Sequence, residues 1–230
     1  TTDGPSGIRL YATCSLIPIG TLLASTFNED TVCRVYSAIS SEMVDKGTDM
    51  LLAPGMNIHR SVLCGPNFEY YSEDPVVTGK IAAAAVRGIQ KTGVSACPKH
   101  FACNNQEYRR NKNDSRVSER ALREIYLKGF EICVKEGKPK SIMTSYNKIN
   151  SVYSHYNYEL CTTVLRQEWG YDGVVITDWW MQKGKSPEFA NVTDNAYRIR
   201  GGIDVLMPGG GRAGKHKPDG TVKKSFENGG

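Results

Sequence analysis

At 230 residues, 40% hydrophobic and 23% charged, the chain has the balance of a globular domain, which excludes a collagen-like or wholly disordered segment. No apolar run approaches the roughly 18 residues of a membrane span, so no membrane partner is expected. The net charge of +5 is mild, and its densest basic group, Arg109, Arg110 and Lys112, is too short for a nucleic-acid track.

Seven cysteines are an odd number and contain no C-x-x-C pair. They read as reduced thiols in a cytoplasm-like compartment rather than as a disulfide framework. The four histidines show no ligand spacing, so neither a metal nor another cofactor is expected.

Thr1–Asp3 read as the carboxyl end of a strand whose body lies outside the chain. An amphipathic helix is expected over 28–46, with Val32, Val35, Ile39 and Met43 on one stripe and Gly47 as its stop. A short apolar run, 50–53, leads into PGMNIHR. A second helix is expected over 75–91, and a strand over 93–97 leads into Pro98, Lys99, His100 and Phe101. The third helix, 117–136, carries Leu122, Ile125, Tyr126, Phe130 and Cys133 on one face. A strand at 140–143 leads into TSYN, a helix covers 158–169, and a strand at 173–176 runs into Thr177 and Asp178. A last unit pairs a helix near 194–200 with a strand at 203–207, and 209–230 is expected to be a Gly/Lys-rich loop or disordered tail.

Strands alternating with helices imply parallel βα units, about five of them here. The residues just after each strand are Asp3, then Asn57 and His59, Lys99 and His100, Tyr146 and Asn147, and Asp178. Polar and ring-bearing groups at several independent strand ends mark one functional face. A (β/α)8 barrel and an open flavodoxin-like sheet both collect residues there. Asp178 alone reads equally as a helix N-cap, and Trp179 and Trp180 as core. Aromatic faces beside a carboxylate also suit a pyranose ring, whose hydroxyls need partners such as Asp, Lys, His and Arg.

The chain resembles glycoside hydrolase family 3, the β-glucosidase family. The resemblance is carried, in the family's order, by DGPSGIR (3–9), APGMNIHR (53–60), GPNFEYYSEDP (65–75), ACPKHFACNNQE (96–107), SRVSERALREIY (115–126), MTSYN (143–147) and DGVVITDW (172–179). It implies a (β/α)8 barrel domain over 1–208, incomplete at its N-terminal end. It also implies a retaining, exo-acting β-glucosidase with Asp178 as nucleophile. Asp3, Lys99, His100, Arg110 and Tyr146 would bind the terminal sugar, with Met143 and Trp179 lining the pocket. Lys99 and Arg110 are expected to keep Asp178 ionised.

Two departures stand out. Pro66 sits where the family usually has an arginine that grips the sugar, and it offers no donor. The acid/base carboxylate of the family usually comes from an α/β-sandwich domain, and no segment here resembles one. Glu69 and Glu107 are acids by type, and Glu69 reads better as a buried salt-bridge partner below the site. Three rival readings are a Schiff-base enzyme using Lys99, a sugar-binding barrel without turnover, and another glycosidase of the family, such as a β-xylosidase or, ranked last, an N-acetyl-glucosaminidase.

Overall fold

The computed structural model describes residues 1–181, 195–208 and 220–228. Helix α1 spans Gly20–Ala24, α2 spans Glu29–Asp45 and α3 spans Pro75–Ile89. Local chemistry accounts for the two long ones. Asn28 caps α2 by accepting from Thr31 N at 2.9 Å, and Glu29 and Asp30 place negative charge in its first turn. Asp74 caps α3 through Val76 N and Val77 N at 2.7 and 2.8 Å, with Pro75 opening the helix. Gly47 (φ 66°) and Gly93 (φ 96°) adopt left-handed backbone just past the ends.

The two helices bury Val32, Tyr36, Ile39 and Met43 against Ala82, Ala85, Val86 and Ile89. Gly88 lets them approach, since a Cβ there would lie 2.5 Å from the Cys33 carbonyl oxygen. The helix expected at 117–136 forms as a series of turns, Glu119–Ala121, Leu122–Tyr126, Lys128–Ile132 and Cys133–Gly137. It widens in places to i→i+5 bonding, as at Leu127 N to Leu122 O, 2.8 Å. Glu159–Glu168 is wide throughout.

The strands are short: β1 Thr2–Asp3, β2 Met50–Leu52, β3 Ser95–Ala96, β4 Asp114–Ser115, β5 Ser141–Met143, β6 Lys148–Ile149, β7 Val152–Tyr153 and β8 Val174–Ile176. Parallel pairing joins β1 to β2 and β2 to β3, with Leu51 opposite Thr2 and Ala96. Phe101 N donates to Met143 O at 2.8 Å, tying the β3 extension to β5. β5 pairs in parallel with β8, and Ile176 bridges in parallel to Val205. Thus the strand expected at 203–207 is reduced to one bridge.

Spatial order follows chain order along these six staves, with no reversal. A flavodoxin-like sheet reverses direction next to its first strand, so that alternative is excluded. Side chains alternate across the staves with the period of two that a strand imposes. Leu51, Ala53, Ala96, Ile142 and Val175 face the helices, while Leu52, Cys97, Met143 and Ile176 form a second apolar cluster on the other face.

A small sheet, β4 parallel to β6 and β6 antiparallel to β7, stands apart from these staves. No strand was expected there, because two-residue strands show no periodicity. The turn residues Asn150 (φ 48°) and Ser151 (φ 79°) close the β6–β7 hairpin and were its one sequence signal. The tail differs in part from the expected loop: Thr221–Glu227 is helical, and Thr221 Oγ1 accepts from Ala196 N at 3.2 Å. Residues 209–219 lie outside the described residues.

Among the described residues no helix is long and apolar enough to cross a membrane. All seven cysteines are free thiols, and burial pushes the Cys97 and Cys103 thiols up to about 12, which keeps them protonated.

Candidate active site

Period-two alternation places Lys99 two residues beyond Cys97, and Asp178 two beyond Ile176, on the face opposite the helices. Asp178 is 5% exposed. Its Oδ1 accepts from Trp179 N at 2.7 Å, and Oδ2 lies 3.6 Å from His100 Nε2. Burial pushes its pKa up to about 6, against the Trp179 N–H and the charges of Lys99 and Arg110, which favour the ionised form. The cations therefore leave Asp178 ionised near neutral pH, but burial outweighs them in the balance. Trp179–Met181 form a turn and no helix start, and residues 182–194, where a helix N-capped by Asp178 would run, lie outside the described residues.

Lys99 is buried and lies between two carboxylates, Asp3 Oδ1 at 2.7 Å and Glu69 Oε2 at 3.3 Å. Burial alone would lower its pKa, but Glu69 and Asp3 outweigh that and keep it charged. His100 is held well below 6.5 by burial, then by Lys99 and Arg110, so the ring is neutral. Its backbone N–H donates to Asn57 Oδ1 at 3.0 Å, and its Nδ1 lies 3.1 Å from Tyr70 Oη. A ring proton on Nε2 faces the carboxylate of Asp178 and leaves Nδ1 as an acceptor for Tyr70 Oη, which also lies 3.3 Å from Asn104 O. The other tautomer would set a lone pair against that carboxylate.

Tyr146 Oη donates to Trp179 O at 2.6 Å, and its ring lies 4.2 Å beneath the Arg110 guanidinium. Arg110 Nη1 in turn meets Glu107 Oε1 at 3.0 Å. Met143 is fully buried in the apolar cluster under the site, with Trp179 packed against it. The Trp179 and Trp180 rings lie 5.5 Å apart, and Trp180 is exposed.

The fold thus gathers Asp3, Lys99, His100, Arg110, Met143, Tyr146, Trp179 and Asp178 on one face. Asn57 stands behind His100 as an acceptor, and Asn147 is bound to Ala102 O at 3.2 Å within the packing. His59 points elsewhere, into a hollow of about 440 Å³ lined by Arg60, Asn67 and Glu73. Tyr70, which supports His100, went unnamed in the sequence because nothing local marks a tyrosine as a partner for a residue 30 positions away. Both spare carboxylates are engaged, Glu69 by Lys99 and Glu107 by Arg110. Among the described residues no group of three His, Cys, Asp or Glu side chains is placed to hold a metal.

A family model described as "Glycosyl hydrolase family 3 N terminal domain" matches residues 1–223. The chain belongs to glycosyl hydrolase family 3. Over 211 residues it is 46% identical to a β-glucosidase of Ruminococcus albus, covering 90% of this chain and 22% of that enzyme. It is 44% identical over 222 residues to an exo-α-(1->6)-L-arabinopyranosidase of Bifidobacterium longum, covering 90% of this chain and 28% of that one. The solved structure of β-glucosidase 3B from Thermotoga neapolitana in complex with glucose superposes with a TM-score of 0.89 at 42% identity. That match covers 99% of this chain and 32% of the Thermotoga chain. The family 3 chain therefore spans about a fifth to a third of the relatives it matches.

Within this family 3 site, a buried carboxylate stands beside a neutral imidazole, an ammonium, a guanidinium stacked on a phenol, and two indoles. Such a set can bind hydroxyls through charge-assisted hydrogen bonds and present one ionised oxygen as a nucleophile. Pro66 is buried in the turn Gly65–Glu69 and supplies no donor.

Proposed function

We propose that the chain is the barrel domain of a retaining, exo-acting β-glucosidase, with Asp178 as nucleophile. The observation that supports this most is the placement of Asp178 itself, 5% exposed and within reach of His100, Lys99, Arg110 and Tyr146. In this reading an Asp178 oxygen attacks the anomeric carbon as the glycosidic C–O bond breaks. A glycosyl-enzyme forms, and water then displaces Asp178. Asp3, Lys99, His100, Arg110 and Tyr146 hold the hydroxyls of the terminal sugar, Tyr146 also steadies the turn after Asp178, and Met143 and Trp179 form the apolar wall.

The acid/base group is assigned to an α/β-sandwich domain outside residues 1–230, in the same polypeptide or another protomer, because Glu69 and Glu107 are each bound to a cation. Without that group, turnover of natural glucosides by this chain alone should be slower by about 10² to 10⁴-fold. The six staves are read as part of a (β/α)8 barrel closed in the whole protein. Their unreversed order and second apolar face support closure. Residues 1–208 are taken as this barrel unit, and the helix Thr221–Glu227 packs against Asn195–Arg200. Seven free thiols support a reducing, cytoplasm-like compartment.

A fluorinated glucoside with a highly activated leaving group tests the proposal, because it needs no acid to glycosylate the protein. A fluoroglucosyl mass on the peptide containing Asp178 is the expected result. A folded but unmodified chain would favour the sugar-binding reading instead, to which the donor lost at Pro66 lends some weight. The similarity to an arabinopyranosidase keeps a second sugar in view, and parallel labelling with the arabinosyl reagent ranks the two.

A further inference from the structure

Lys99 is held by two carboxylates that differ in kind. The Asp3 side chain is 37% exposed, whereas the Glu69 side chain is 10% exposed. Glu69 closes the single turn Gly65–Glu69 and presses on Gly55, where a Cβ would lie 2.8 Å from Glu69 O and 3.1 Å from Glu69 Cγ. A residue fitted this closely to a bare backbone cannot swing to another partner. The lysine ammonium carries three donors. One donates to Asp3 Oδ1 at 2.7 Å, Glu69 Oε2 stands 3.3 Å from the ammonium as an ion pair, and no further partner of the ammonium lies among the described residues.

This asymmetry has a consequence for binding, which rests on the glycosidase reading. Asp3 can exchange its bond to Lys99 for a ligand hydroxyl, because its side chain is open to solvent. Glu69 cannot. A buried ammonium that lost its only fixed anion would relax toward Asp178, the next carboxylate in its surroundings.

We propose that Glu69 is a positioning residue acting through Lys99: it anchors the ammonium on the buried side, so that Asp3 and the third lysine N–H are offered to sugar hydroxyls and Asp178 is left free to attack.

The ionisable neighbours of Glu69 are Lys99, Asp3, Asp178, Tyr36, Tyr70 and Cys64. Those of Asp178 are Lys99, Arg110, His100, Tyr146, Glu69, Tyr70 and Cys97. Lys99 is the cation common to both sets. Removing the Glu69 charge takes one anion away from Asp178 and releases Lys99 toward it, and both changes ease the ionisation of Asp178.

The test is Glu69→Gln in the 230-residue chain. Its readouts are the labelling rate with the activated fluoroglucoside as a function of pH, and glucose affinity by calorimetry. The expected result is labelling slower by about ten- to a hundredfold, weaker glucose binding, and an acid limb displaced to lower pH. In a Lys99→Met background the same change should alter rate and affinity by no more than about twofold, because a residue that acts through another loses its effect when that other is gone.

A lower melting temperature with rate, affinity and acid limb all unchanged would overturn the proposal. So would an undiminished effect in the Lys99→Met background. Should Glu69→Gln fail to fold, Glu69→Asp keeps the charge and shortens its reach, and slowed labelling with an unmoved acid limb is expected. Loss of the fold in both variants would make Glu69 purely structural and overturn the proposal too. If the parent chain is folded by circular dichroism and still takes no label, the glycosidase reading falls, and glucose affinity in the four variants of the cycle decides the role of Glu69.

Discussion

His100 turns Nε2 toward Asp178 Oδ2 at 3.6 Å, with both side chains buried. It does so as a neutral ring, because burial and the nearby charges of Lys99 and Arg110 hold it well below 6.5. Among the described residues the carboxylate therefore has no charged partner within 4 Å. Its ionisation is decided by burial against the Trp179 N–H, two more distant cations and the Tyr146 hydroxyl.

A stability cost follows for Asp178. Its pKa in the fold, about 6, stands above the ordinary 3.8, so the fold prefers the protonated form. That preference stabilises fully below pH 3.8 and is lost as pH rises through about 6. At pH 7, Asp178→Asn should therefore raise the unfolding free energy by about 3 kcal/mol, with the gain fading toward pH 4. Urea unfolding at the two pH values checks this. The same variant should take no label from the activated glucoside.

Labelling of the parent chain should lose half its rate near pH 6, where Asp178 takes up its proton. His100 is already neutral there and should add no limb of its own between pH 6 and 8. A stopped-time mass assay across pH 4.5 to 8 reads both. A second limb near 6.5 would mean that His100 titrates normally.

Tyr146→Phe removes the donor that ties Oη to Trp179 O at 2.6 Å while keeping the ring under Arg110. The turn after Asp178 should loosen, with a cost of about 1 kcal/mol in stability and a slowing of labelling by about tenfold. Tryptophan fluorescence should shift as the Trp179–Trp180 pair rearranges. An unchanged labelling rate would count against Tyr146 as a support for that turn.

Gly88→Ala tests the contact that brings α2 onto α3. The added carbon would meet the Cys33 carbonyl at 2.5 Å, and backbone on both sides must move to admit it. A loss of about 1–3 kcal/mol is expected in equilibrium unfolding, with labelling per folded molecule unchanged.

Much of this was legible along the chain. Asn28 and Asp74 cap their helices through amides two or three residues away, and Gly47 and Gly93 stop them with a backbone that only local sterics constrain. Such interactions are complete within a few residues, so the order of elements and the polar residues at strand ends can be read from a string. What lies 30 to 96 residues apart cannot. Lys99 meets Asp3 across 96 positions, His100 meets Tyr70 across 30, and Tyr146 reaches the Trp179 carbonyl across 33. The short strands β4, β6 and β7 exist only because neighbours pair with them, and the wide turns in 122–126 and 159–168 carry no propensity signal. The sequence by itself determined which side chains stand at the strand ends. Only the tertiary structure decided their charge states, because burial and long-range neighbours set the balance that leaves Asp178 near 6 and His100 neutral.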